Sequence, residues 1–342
     1  MKNLFIGIDF SKKKFDVSFF ESDKMDSIEH NEFENNKSGF VEMISWITSR
    51  TEIAKDEWLF CGEHTGLYSI ALTEYLVKKS LFMWLENPLQ IKMSMGIRRE
   101  KSDKVDSRDI AFYAYRFKDR ARASKVRDKD LASLGLLLSF RERLVKNKQS
   151  ILVAAKEIRS ILNRDKTARY IYEQTKKDVE RFNKEIKDIE KKMLEIIKEN
   201  TALETNYKRV VSVKGIALIN TVALLVHTGN FTRFQTARQL ACYSGVVPFE
   251  KSSGTSLKTG KHVSSMANIQ IKTLLTQAAR SAVIHDKELR AYYHRKKKEG
   301  KLDRVVINNV RNKLLHRVFA VVTKEQMYNE DYINDLQKQS NH

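Results

Sequence analysis

One carboxylate inside the chain's first apolar run constrains this sequence more than any other feature. Phe5-Ile6-Gly7-Ile8-Asp9-Phe10-Ser11 leads through a short polar turn into Phe15-Asp16-Val17-Ser18-Phe19-Phe20. The second run alternates as the return strand of a hairpin does. A carboxylate in a buried strand is costly unless it is paired or binds a metal ion. A turn-capping role is the plain alternative for Asp9. The choice between them depends on which acids further along the chain can reach it.

Residues 1–125 read as alternating strands and helices, an α/β sheet of the ribonuclease H type. A helical pattern covers Ser38 to Thr48. Trp58-Leu59-Phe60-Cys61 is a short buried strand that ends at Gly62-Glu63-His64-Thr65-Gly66, with a helix from Leu67 to Lys79 after it. Leu81 to Leu85 is a further strand, closed by Asn87-Pro88. Glu63 therefore falls just past a strand's C-terminal end, where open α/β sheets place their sites. In Arg98-Arg99-Glu100-Lys101-Ser102-Asp103-Lys104-Val105-Asp106-Ser107-Arg108-Asp109, helical spacing puts Asp103 and Asp106 on one face, with Asp109 continuing the row. Acids in a helix's first turn also stabilise its dipole, which is the bland account of them. Together, a strand Asp, a strand-end Glu and a helical Asp pair make the all-oxygen donor set that Mg²⁺ prefers.

Charge supplies the partner. The chain of 342 residues carries 63 Lys and Arg against 43 Asp and Glu, a formal charge of +20. Such an excess favours polyanions, because each phosphate contact releases condensed counterions. Cys61 and Cys242 lack metal-ligand spacing and suit a reducing compartment. The absence of a signal-peptide pattern and of a membrane-spanning apolar run suggests a soluble intracellular protein.

Residues 126–205 change to long helices. Leu144, Ile151, Ala155, Ile158 and Leu162 form one stripe, and Val179, Phe182, Ile186, Ile189, Met193 and Ile196 a heptad seam after a turn near 163–166. An antiparallel hairpin results, serving either as a dimerisation arm or as a spacer. Residues 206–330 form a further, mainly α region, and 331–342 a polar tail. Within it, Val210 to Ala217 followed by Thr221 to Leu225 resembles a helix-hairpin-helix, whose turn and helix N-terminus bind phosphate. Phe249 to Lys261 reads as a polar, basic loop gripping a nucleic-acid backbone; alternatively Ser253, beside Gly254, is a presented nucleophile. From residue 285 to 324 the balance is 12 Lys and Arg to 4 Asp and Glu. Tyr292-Tyr293-His294-Arg295-Lys296-Lys297-Lys298 there reads as a basic helical face for nucleic acid, or as a solvated one.

These motifs, in this order, resemble the transposases of the insertion sequence one-ten family, bacterial enzymes with a RuvC-like DEDD domain (a ribonuclease H fold) and a C-terminal transposase domain. Gly7-Ile8-Asp9, Glu63-His64-Thr65-Gly66 and Lys101-Ser102-Asp103-Lys104-Val105-Asp106 are similar to the family's acidic motifs. Val213-Lys214-Gly215-Ile216, Tyr243-Ser244-Gly245-Val246-Val247-Pro248 and Ser252-Ser253-Gly254 are similar to its transposase domain, although Ala217 stands where the family commonly has glycine. The resemblance implies that Asp9, Glu63, Asp103 and Asp106 hold Mg²⁺, with Mn²⁺ as a substitute. It implies that Ser253, rather than the neighbouring Ser252, links covalently to cleaved DNA. It further implies homodimers paired into a homotetramer, one subunit's serine completing another's metal site, and a structured bridge RNA that pairs with donor and target DNA. Backbone contacts are expected from Lys12, Lys13, Arg98, Arg99, Lys101, Lys214, Lys251, Lys258, Lys261, Arg295, Lys296, Lys297 and Lys298. A cytoplasmic, nucleoid-associated place in a bacterial cell follows, with no membrane partner. The rival readings are a RuvC-type junction nuclease without serine chemistry and a non-catalytic nucleic-acid-binding protein.

Overall fold

The first strand pair forms as the two apolar runs and the polar turn between them require. In the computed structural model, which describes residues 2–64, 66–96, 102–125, 128–253, 257–263 and 267–329, with backbone alone over 250–262, β1 (Leu4–Phe10) pairs antiparallel with β2 (Lys14–Glu21). The partners Asp9 and Asp16 face each other across this ladder. β3 (Glu29–Glu34) adds an antiparallel edge strand, α1 (Lys37–Thr48) follows, and β4 (Trp58–Glu63) returns parallel to β1. After α2 (Ile70–Lys78), β5 (Met83–Glu86) lies parallel to β4, completing a five-stranded mixed sheet in the order β3-β2-β1-β4-β5.

β3 lies between the first hairpin and α1, in a stretch without apolar alternation. Its residues Glu29-His30-Asn31-Glu32-Phe33-Glu34 are polar because it is a sheet edge, with Phe33 alone of the six buried. Asn87-Pro88 closes the strand and also opens α3 (Pro88–Ser94): the Asn87 side chain accepts from Leu89 N–H, and Pro88 occupies the helix's first turn. α4 (Asp103–Arg116) follows, its Ser102 hydroxyl accepting from Val105 N–H.

Each face of the sheet has its own core. Ile6, Ile8, Val17, Trp58, Phe60, Leu72 and Met43 pack under α1 and α2. Phe5, Phe20, Leu59, Cys61 and Trp84 pack under α4 through Ile110, Ala111 and Tyr113. The chain divides into two units between residues 127 and 128.

The second unit opens with α5 (Lys129–Ile161) and α6 (Lys166–Glu199), the helical hairpin expected from the seam. Ile186, Ile189 and Met193 are buried as spaced, whereas Ile197 is buried and Ile196 half-buried, a drift of the kind a 3.6-residue turn imposes on a heptad. On α5, Leu144 and Ala155 are buried, but Leu162 is exposed because the helix ends at Ile161. The base of the hairpin joins the same core as α7 (Thr201–Val211) and α8 (Leu218–Thr228), through Leu134, Leu138, Met193, Leu203 and Val222.

α9 (Ala237–Tyr243) begins with a capping box between Thr236 and Gln239. The stretch read as a loop is instead mainly a hairpin: β6 (Pro248–Ser253) and β7 (Leu257–Val263) form a two-stranded antiparallel sheet. Its polar composition fits a ribbon with no core to cover, a pattern that hides a strand from a search for apolar alternation. α10 (Ile269–His285), α11 (Lys287–Lys298) and α12 (Asp303–Thr323) close the unit around Leu275, Ala279, Val310, Leu314 and Val318. Among the described residues no helix is long and apolar enough to cross a membrane.

Candidate active site

Glycine at position 7 determines where the acids go. A Cβ built there would lie 2.1 Å from the Ser107 carbonyl oxygen and 2.3 Å from the Ala111 nitrogen, so α4 rests directly on β1. At the other end of the strand, Phe5 meets Tyr115 edge-on, with ring centroids 5.1 Å apart. The helix thus runs antiparallel to the strand. Two residues beyond Gly7, Asp9 comes level with the first turn of α4, which carries Asp103 and Asp106. A buried hydrogen bond of 2.8 Å between the Ser18 and Ser107 hydroxyls pins the same turn to β2.

Glu63 arrives from the parallel neighbour. Ile8 pairs with Gly62, so Asp9 and Glu63 are the next residues along two adjacent strands, at the sheet's C-terminal edge. Burial, then the like charges of Asp106, Asp103, Glu63 and Asp16, push the Asp9 carboxyl from its ordinary 3.8 up to about 7. That order of causes places Asp9 at the centre of an acidic group, half-buried among groups that share its charge. Asp103 is exposed and Asp106 half-exposed, so both can turn toward a ligand.

Asp16 is the residue that sequence reasoning missed here. It is buried, and its carboxylate meets His30 Nε2 at 2.8 Å. Burial pushes its pKa up, against the lowering effect of the His30 contact. The signal was available in the hairpin: with the turn centred between residues 12 and 13, positions 9 and 16 must face each other. Asp109, the remaining acid of the row, is buried and lies 3.9 Å from the Arg108 guanidinium.

The donor set fits a hard divalent cation. It consists of carboxylate oxygens, and the mutual repulsion felt by Asp9 is what a bound 2+ charge would relieve. Among the described residues, no three His, Cys, Asp or Glu side chains already stand in a cage that could hold an ion. Closure around one would come from Asp103, Asp106 and Glu63 turning inward.

The second unit presents Ser253 at the end of β6, its backbone paired with Leu257, at the tip of the hairpin. The foot of that hairpin is held by side chains: Asn308 Nδ2 donates to the Val246 carbonyl at 2.8 Å. Asn268 Nδ2 donates to the Tyr243 hydroxyl at 3.1 Å, and His227 lies beside both. Between α7 and α8, Gly215 takes φ +93° and presses on α10, where a Cβ would meet the Ala278 carbonyl and Ala282. The adjoining Lys214 is exposed, and Ala217 supplies no side-chain cap to α8.

Lys12 and Lys13 are exposed at the β1–β2 turn, and Arg295, Lys297 and Lys298 are exposed on α11; Lys296 is tied to Glu299 at 2.7 Å. Arg98, Arg99, Lys101, Thr65, Gly254 and the tail 331–342 lie outside the described residues, as do the side chains of Lys251, Ser252, Ser253, Lys258 and Lys261.

Two family profiles match the chain, the first extending past residue 128 into α5. A DEDD transposase profile of the IS110 type matches residues 6–164, and the profile described as "Transposase IS116/IS110/IS902 family" matches residues 207–294. The pilin gene-inverting protein of Moraxella lacunata is 24% identical over 336 residues, spanning 96% of this chain and 99% of that protein. The transposase for insertion sequence element IS1111A of Coxiella burnetii is 26% identical over 219 residues, 56% of this chain and 57% of that protein. A 43.6 kDa protein of insertion element IS110 from Streptomyces coelicolor is 32% identical over 117 residues, 34% of this chain and 29% of that protein. A DEDD transposase domain suggests dependence on a divalent metal.

Proposed function

Because the chain belongs to the IS116/IS110/IS902 family of transposases, we propose that it is an RNA-guided DNA recombinase that joins metal-assisted and serine chemistry. The observation that carries the reading is the seat of α4 on Gly7, which brings the Asp103–Asp106 turn level with Asp9 beside Glu63. The strand order β3-β2-β1-β4-β5, antiparallel in its first three strands and parallel after, supports the ribonuclease H, RuvC-like assignment.

Asp9, Glu63, Asp103 and Asp106 would hold Mg²⁺, or Mn²⁺ in its place. When bound, the ion polarises a phosphodiester and positions the attacking and leaving oxygens. Ser253 acts as the nucleophile: a bond from its Oγ to phosphorus replaces a bond from phosphorus to a sugar oxygen, which leaves with a proton. One phosphodiester is exchanged for another, so the strand can be rejoined to a new end without an external energy source. That conservation suits a recombinase, and a relative named for inverting a pilin gene matches this chain end to end.

The excess of basic residues supports two polyanionic partners, DNA and a structured bridge RNA, with base pairing supplying sequence choice and the protein gripping backbones. The α5–α6 hairpin would assemble dimers and then a tetramer. Val153, Ile161, Leu162 and Tyr170, on its outer part, are all at least half exposed, apolar surface that a second copy would cover.

The test uses full-length protein, Mg²⁺, the element's candidate RNA and labelled donor and target DNA, resolved on a denaturing gel. A protein-linked strand that requires RNA and vanishes in Ser253→Ala is expected. An adduct lost only in Ser252→Ala moves the nucleophile by one residue. Free cleaved ends with no adduct, unaffected by either change, would establish a junction nuclease instead.

A further inference from the structure

Between α11 and α12 lies a recess of about 620 Å³, lined by Tyr292, Asn309, Asn312, Lys313, His316 and Arg317. Its volume is within the range of about 300–1,000 Å³ typical of small-ligand sites. The lining contains no carboxylate and no aliphatic side chain; it consists of two amides, a lysine, an arginine, one imidazole and one phenol. That composition suits neither an apolar peptide nor a metal ion.

The nitrogen donors among them are not equivalent. Arg317 is already committed, donating to buried Asp286 at 2.7 Å and to Glu288. Lys313 and His316 have no carboxylate within 4 Å among the described residues; Lys313 lies 4.9 Å from the centre of the Tyr292 ring. Both are available to an anion. The polar groups add a second kind of chemistry. Asn309 Nδ2 donates to the Tyr292 hydroxyl at 3.2 Å, leaving that hydroxyl a proton to donate elsewhere. Asn312 lines the same recess and carries an enclosed Oδ1 without a hydrogen-bond partner, an acceptor that reaches a ligand when the amide turns outward. Such a group is costly in a folded protein unless a ligand meets it.

We propose that the α11–α12 recess binds one unstacked nucleotide of a single-stranded nucleic acid, its phosphate on Lys313 and His316 and its base edge on Asn312 and the Tyr292 hydroxyl. A nucleotide combines an anion with amine and carbonyl groups on one rigid ring, which is the combination the lining complements. A base stacked in a duplex cannot enter a recess between two helices, whereas an unpaired base can be turned out into one. The inference rests on the nucleic-acid-binding reading above and adds to it a specific contact outside the acidic site.

The experiment uses the full chain and a short fluorescent oligonucleotide of mixed sequence as single-stranded RNA, single-stranded DNA and duplex DNA. Fluorescence anisotropy is expected to show Lys313→Gln, His316→Gln and Asn312→Leu each weakening single-strand binding, by up to about tenfold, with duplex affinity unchanged. Tighter binding of the RNA would assign the nucleotide to RNA, and tighter binding of the single-stranded DNA to a melted strand. Equal losses on duplex DNA, or no loss on either single strand, would overturn the proposal. If the wild-type chain binds none of the three probes in a salt-sensitive way, the nucleic-acid reading itself fails. A halogenated-uridine RNA irradiated with the unaltered protein supplies a test independent of folding: the adduct is expected on the peptide containing Tyr292, and adducts confined to other peptides would refute the assignment.

Discussion

Replacing Asp9 with Asn should make the metal-free protein more stable at neutral pH while abolishing its chemistry. The group titrates near 7 instead of 3.8 in the fold. At about 1.4 kcal/mol per pH decade, that displacement has an upper bound of about 4 kcal/mol. Asp9 is only half-buried, so solvent screening reduces the expected figure to about 2 kcal/mol. The sign follows from the raised value. Below pH 3.8 folded and unfolded chains both hold the proton, and no penalty exists. From there to about 7 the folded state retains a proton that the unfolded state has released, so wild-type stability falls as pH rises. Above that range the carboxylate is charged among other carboxylates and the full penalty persists. Asn removes the charge at nearly constant shape. Its advantage should therefore be complete at pH 8 and about half gone near pH 5.5.

Trp46, Trp58 and Trp84 are the chain's tryptophans, and all lie in the first unit, so urea unfolding followed by tryptophan fluorescence isolates the relevant transition. The midpoint should rise at pH 8 without a change in slope. Mg²⁺ should stabilise the wild type, by the binding linkage, and leave Asp9→Asn nearly unmoved. A variant no more stable than wild type at pH 8, or one with the same advantage at pH 5.5, would falsify the claim that these acids repel one another in the folded state.

Gly7→Ala should destabilise the first unit by about 1–3 kcal/mol or more, because backbone atoms of α4 occupy the space of the new methyl group. The same fluorescence assay measures it, and the folded fraction should lose its Mg²⁺ response as α4 is pushed away. Arg317→Met should destabilise the second unit by about 3–5 kcal/mol, since Asp286, 1% exposed, would be left charged and without its guanidinium partner. Far-ultraviolet circular dichroism, dominated by the long helices, reports that transition; a loss below 1 kcal/mol, on the order of an exposed pair, would contradict it. DNA binding should weaken steeply with salt, and substituting Arg295 and Lys297 together should flatten the log–log slope by about 2.

The sequence carried its periodicities well. The apolar run around Asp9 marked β1 and the run after it β2, because strands covered on both faces are apolar nearly throughout; the stripe and the heptad seam marked α5 and α6, because a helix buried on one face writes that face as a repeating interval. The acids were legible for a related reason: a carboxylate beside buried strand residues, or at a strand end, breaks a pattern that would otherwise be apolar. β3, β6 and β7 did not announce themselves, since an edge strand and an isolated ribbon bury too little for their composition to differ from that of a turn.

Meeting points were decided in the tertiary structure. Nothing local to Gly7 states that a helix about a hundred residues later will lie on it, yet that contact sets the height of Asp103 and Asp106 against Asp9. The pairing of Asp286 with Arg317, and the recess that gathers Tyr292 with Asn312 and Lys313, likewise join α11 to α12 across a turn. Residue types and intervals determine which faces must be buried; which two faces bury each other depends on packing between distant segments, and no interval records that.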